Sequence, residues 1–139
     1  MSVTAKDLLG AWRLESWSLV YDDGRPPEFP LGRDAEGIII YTPGGQVSAT
    51  LMRAGRIAQA PGSEVERAAA FADSFAYAGR YEVRDATVFH SIEVATNPAL
   101  IGVTSTRHIT LDGDRLTLSG PDFAAGTGRT QTIVWRRST

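Results

Sequence analysis

GRYEVRDATVFHSIEVAT, residues 79–96, is the stretch whose reading decides the fold. Apolar and polar residues alternate on both sides of Asp85-Ala86, the period-2 pattern of a strand with one face buried. If Asp85-Ala86 is a two-residue loop, Tyr81 lies opposite His90 and Val83 opposite Val88. Cross-strand partners share a face. One side of this hairpin therefore collects Tyr81, Val83, Val88, His90, Ile92 and Val94, and the other carries Arg80, Glu82, Arg84 and Glu93. The first side is interior and the second is solvent.

The same arithmetic extends outward. A turn at residues 112–115 sets Leu111 against Leu116 and Ile109 against Leu118, leaving His108, Arg115 and Thr117 outside. A hairpin at Pro43-Gly44 sets Ile40 beside Val47 and Ile38 beside Ala49, all on the inner side. Segments rich in β-branched and aromatic residues occupy 11–21, 37–41, 47–52, 79–83, 87–96, 103–111, 116–119 and 130–136. Between 52 and 79 the pattern changes. Pro61-Gly62 precedes Ser63 and Glu66, a capping box, and alanines follow with Phe71 and Phe75 four apart. One helix over about 64–77 is expected, with Gly79 as its stop. Eight short strands in hairpin series and one helix at one end predict a mainly β fold, a closed antiparallel up-and-down barrel, because closure removes exposed edges.

The bulk properties fit a single domain spanning 1–139. The chain has 42% hydrophobic and 22% charged residues, a formal net charge of −2 and no cysteine. The charge gives no footprint for nucleic acid. Without cysteine there is neither a disulfide nor a thiol nucleophile. No apolar run approaches the ~20 residues that span a membrane, and residues 1–7 lack the pattern of a signal peptide, so a cytoplasmic protein is expected. Arginine dominates the cations, Lys6 being the only lysine, a composition typical of a GC-rich bacterial genome.

Several motifs fall in an order that resembles a known family. Gly10-Ala11-Trp12 matches the Gly-x-Trp signature that opens lipocalin barrels, and Trp135-Arg136-Arg137 supplies the basic residue that covers that tryptophan in such folds. Pro30-Leu31-Gly32, Ile40 to Gly45, Ala76 to Tyr81, Val88 to Glu93 with Pro98, and Arg107 complete the set. Together they resemble the bacterial and fungal lipocalin-like domain family. The resemblance implies an eight-stranded calycin barrel with a helix at one end. Some members look like accessory proteins, or cofactor-free isomerases and cyclases, of secondary metabolism; the resemblance carries over no catalytic residues.

His90 is the first candidate for chemistry, because an imidazole on a strand face of Val88, Ile92 and Val94 is a tunable acid, base or polar contact. A core histidine bonded to Tyr81 is the structural alternative. Arg107 alternates with Ser105 and Ile109 on the inner side, where a guanidinium would pair with a ligand carboxylate, phenolate or enolate, or form an internal salt bridge. Tyr77 and Tyr81 stand near a barrel mouth. Trp135 alternates with Ile133 and Gln131 and is expected in the core, with stacking on a ligand as its second role, while Trp12 is structural. Ile40 is an apolar ligand contact. Glu93 points away from His90 unless a bulge intervenes. The residues offer no metal site, no cofactor motif and no phosphate-binding glycine loop. Two long connections, 22–36 and 120–128, remain; Phe29 and Leu31 make the first a candidate lid.

Three functions follow. The leading one is a barrel that binds a small, mostly apolar molecule, oriented by His90, Arg107 and Tyr81. The second is a cofactor-independent isomerase, cyclase or hydrolase in which His90 is the acid–base group while Arg107 and a tyrosine stabilise an oxyanion. The third is a packed barrel serving as an oligomerisation or interaction module, a homodimer being one such assembly.

Overall fold

The computed structural model describes residues 3–121 and 128–138. Eight antiparallel strands close into a barrel in sequence order: β1 (Gly10–Tyr21), β2 (Glu36–Tyr41), β3 (Gln46–Met52), β4 (Ser74–Arg84), β5 (Thr87–Ala95), β6 (Thr104–Asp112), β7 (Arg115–Pro121) and β8 (Arg129–Arg137). A single helical turn, α1 (Ala5–Leu8), precedes β1, and the helix α2 (Glu64–Ala72) lies between β3 and β4. The mainly β, eight-stranded barrel expected from the sequence is thus present. Among the described residues no helix is long and apolar enough to cross a membrane.

The two ends of the barrel differ. Short turns join β2 to β3, β4 to β5 and β6 to β7 at one end, the floor. There Trp12 is wholly buried, its Nε1–H donates to the Leu8 carbonyl at 2.9 Å, and the Arg137 guanidinium lies 4.1 Å from its ring centroid. Arg137 also donates to the carbonyls of Asp7 and Leu9, so one side chain ties α1 across the floor and covers the indole. The longer connections, with α2 and a 3-10 turn at Pro98–Leu100, gather at the other end, the mouth. Residues 122–127 of the second long connection lie outside the described residues.

The β4–β5 and β6–β7 hairpins pair as the sequence predicts: Tyr81 with His90, Val83 with Val88, Ile109 with Leu118, Leu111 with Leu116. Asp85 and Ala86 both adopt left-handed backbone, at φ 51° and 58°, which a two-residue turn between twisted strands requires. Alanine is strained there. Ala86→Gly is accordingly expected to stabilise the protein by about 0.5–1 kcal/mol, read as a higher urea midpoint at constant slope.

The β2–β3 hairpin departs from expectation by one residue. The Thr42 N–H bonds the Gln46 carbonyl and lengthens the loop, so Tyr41 pairs with Val47, Ile40 with Ser48 and Ile39 with Ala49. A one-residue slip exchanges the faces of a strand. Ile39 and Tyr41 therefore enter the core, while Ile38 and Ile40 stand exposed on the outer surface. Ile40 is not a lining residue.

The helix also ends sooner than the 64–77 expected. It closes at Ala72, and from Ser74 the chain pairs with β3, Phe75 opposite Leu51 and Tyr77 opposite Ala49. Sheet pairing outweighs the helical spacing of Phe71 and Phe75. Gly79 is consequently no helix stop. It lies inside β4 at a bulge where Gly79 pairs with Ile92 and Ala78 with Val94, leaving Glu93 as the extra residue. A Cβ on Gly79 would collide with the Ser91 carbonyl oxygen. The bulge turns Val94 outward, contrary to its expected inner position, and Glu93 stays outside beside Arg80.

The 22–35 connection folds back along the mouth half of β1. Leu19 and Glu28 exchange backbone hydrogen bonds, and Leu31 is buried in the core, whereas Phe29 stays half-buried under Arg33. Arg53 straps this segment down, donating to the Pro30 carbonyl and pairing with Asp73 at 3.1 Å.

Candidate functional site

The inner wall above the floor carries polar groups that the strand alternation forces inward. His90 on β5 is 2% exposed. Its Nε2 lies 2.8 Å from the Tyr41 hydroxyl and its Nδ1 2.9 Å from the Tyr77 hydroxyl, so both ring nitrogens are engaged by phenols from β2 and β4. Burial, reinforced by the positive charge of Arg107, pushes the His90 pKa down to about 3. Burial also raises Tyr77 to about 12 and Tyr41 well above the usual phenol range. The imidazole is therefore neutral and the phenols protonated throughout the physiological range.

Arg107 on β6 is 5% exposed, and its Nη1 donates to the carbonyls of Thr106 and Pro121. Gly120 makes room for it. A Cβ at Gly120 would strike the Thr106 carbonyl and stand 3.3 Å from the Arg107 Nη1. Gln131 on β8 pairs with Gly120 on one side and Leu19 on the other. Its Oε1 accepts from Trp17 Nε1–H at 2.9 Å. Because an indole nitrogen only donates, this bond fixes the amide orientation. The Gln131 Nε2 and the Trp135 Nε1 are both buried and have no hydrogen-bond partner among the described residues.

These groups surround a cavity of about 20 Å³, room for roughly one water, lined by Phe75, Tyr77, His90, Arg107, Gln131 and Trp135 with aliphatic side chains between them. Toward the mouth a second space of about 260 Å³ is bounded by Trp17, Phe71, Phe75, Asn97 and Leu100. Phe75 is common to both. Its ring meets Trp17 edge-on at 5.2 Å and stacks parallel to Tyr77 at 6.4 Å, forming the partition between vestibule and inner cavity. A larger hollow of about 630 Å³ lies on the outer surface beside Ile38, Ile40, Ser48 and Thr50, remote from the buried polar groups. The inner pair of spaces is where apolar walls and convergent polar atoms coincide.

Of the residues the sequence singled out, His90, Arg107, Tyr77 and Trp135 come together around the cavity. Tyr81 pairs with His90 in register, but its hydroxyl donates to the Thr42 carbonyl at the floor at 2.9 Å and it does not line the cavity. Ile40 lies outside the barrel. Tyr41, Gln131, Trp17 and Phe75 were not singled out. The alternation of Gln131 with Ile133 and Trp135 carried the signal for Gln131. Tyr41 was hidden by the slipped hairpin, and Phe75 by its helical spacing.

A floor sealed by a Trp–Arg pair, walls of eight antiparallel strands and a helix at the mouth define a calycin-type barrel. The lipocalin-like domain family model matches residues 9–138, and the chain belongs to that family. No curated protein matches it.

Proposed function

We propose that the barrel binds a small, mostly apolar molecule whose oxygen-bearing end, a carbonyl, phenol or carboxylate, reaches the inner cavity. The observation that carries this reading is the vestibule of about 260 Å³ set directly above an inner space faced by Tyr77, Arg107, Gln131 and Trp135. Apolar walls supply affinity and a few convergent polar atoms supply orientation. The inner space by itself is too small for such a molecule, so binding requires the Phe75 ring to turn aside and join the two spaces. Aromatic side chains packed edge-on at a mouth can do this without moving the sheet. The geometry favours binding over acid–base catalysis: both nitrogens of His90 are already bonded, and its depressed pKa makes it a weak base.

Native mass spectrometry of protein purified from its host, followed by extraction, is the direct test. A retained small molecule is the expected result. A bare mass, together with no thermal shift across a panel of small aromatic and aliphatic carbonyl, phenol and carboxylate compounds, would overturn the reading. Arg107→Met is expected to weaken binding of any retained anionic ligand by about tenfold or more, measured by titration calorimetry.

A further inference from the structure

The hydrogen bonds around the cavity have a direction, and it identifies the ligand's polar end. A neutral imidazole carries one N–H, so of the two phenols on His90 one donates and the other accepts. The Tyr41 hydroxyl is fully buried with His90 as its one side-chain partner among the described residues. Were Tyr41 to accept from Nε2–H, its own hydrogen would be buried without an acceptor, which costs more than an unfilled lone pair. Tyr41 therefore donates to Nε2, Nδ1–H donates to the Tyr77 oxygen, and the Tyr77 hydrogen is left to point onward. Tyr77, unlike Tyr41, lines the cavity.

Two more donors belong to residues that line the same space. The Trp17 bond holds Gln131 Oε1 and so presents the two Nε2 hydrogens, and Trp135 Nε1–H has no acceptor among the described residues. Arg107, which has no acceptor function, lines the same wall. No aspartate or glutamate among the described residues lines the cavity. Among the described residues the lining is thus rich in donors, while Gln131 Oε1 and both nitrogens of His90 already hold a hydrogen bond each.

We infer that the ligand is a carboxylate, seated with its oxygens against Gln131 Nε2, Trp135 Nε1 and the Tyr77 hydroxyl while its apolar body fills the vestibule past Phe75. This rests on the binding function proposed above and narrows it. An alcohol would bring a hydrogen of its own to a lining that has no carboxylate among the described residues to take it. An aldehyde or ketone offers one oxygen where the donors call for two.

The test compares acids with their alcohols, octanoate with octanol and cinnamate with cinnamyl alcohol, by titration calorimetry and by the indole N–H resonance of Trp135. Each acid is expected to bind at least about tenfold more tightly than its alcohol, and to move the Trp135 resonance downfield. Gln131→Leu should erase most of that preference by weakening the acid more than the alcohol. Equal affinity for acid and alcohol, or an acid that binds without moving the Trp135 resonance, overturns the carboxylate assignment and leaves the binding function intact. Failure of both compound types to bind overturns the binding function as well. The resonance reads the unaltered protein, so the comparison stands even if Gln131→Leu does not fold.

Discussion

Trp12→Ala is expected to lower stability by about 3–5 kcal/mol, the range for deleting a wholly buried large aromatic, and to reduce Tm by roughly 10–20 °C for a chain of this size. Three losses coincide. The cavity opens on the floor; the Leu8 carbonyl loses its indole donor; and Arg137 loses the ring it lies on, although it keeps the carbonyls of Asp7 and Leu9. Trp12→Phe separates these contributions, since it retains most of the volume and a ring face while removing Nε1–H. Its cost should be about 1–2 kcal/mol. Chemical denaturation of the three proteins checks the order. If Trp12→Ala unfolds at the wild-type midpoint, the floor does not depend on this residue.

The second large effect is acid lability. Unfolded, His90 titrates near its ordinary 6.5; folded, it is held at about 3. Between those values the unfolded chain binds a proton that the folded chain refuses. Stability from this group is therefore complete above about pH 6.5 and falls as the pH drops toward 3, by up to about 1.4 kcal/mol per pH unit. Protonation would also break the Tyr41–His90–Tyr77 chain, because an imidazolium has no lone pair for Tyr41 to donate into. Urea midpoints of wild type and His90→Gln, taken at unit intervals from pH 7 to 4, isolate the contribution. The difference between the two proteins should shrink steadily on acidification. A constant difference would mean that His90 is charged inside the barrel.

The hairpins centred on Asp85 and on Gly113 were legible because their turns are short and their residues alternate cleanly, so the register followed from counting. The same counting misplaced Ile38 and Ile40, since a loop one residue longer leaves no strong mark on composition yet exchanges the faces of β2. The helix was found but its end was not. Residues 73–77 carry helical spacing, and only pairing with β3, a contact between distant residues, overrides it. The bulge at Glu93 was invisible for a similar reason: it accommodates the close approach of Gly79 to the β5 backbone, a purely tertiary event. His90, Arg107 and Trp135 were legible as inward-facing groups, and Tyr77 only as a residue near the mouth. Their hydrogen-bond partners were not, because Tyr41 and Trp17 approach from strands far away in sequence.

Closure of the barrel has a consequence for how the protein folds. Every ladder joins strands adjacent in the chain except the one between β1 and β8. The local hairpins can form early, but the β1–β8 seam must wait until the chain ends meet, and such non-local closure sets the folding rate. Trp17 comes from one side of that seam, and Gln131 and Trp135 from the other. The pocket therefore does not exist in any partly zipped chain. A ligand that occupies it acts as a clasp on the last ladder to form, slowing the reopening of the seam and leaving the individual hairpins as they were.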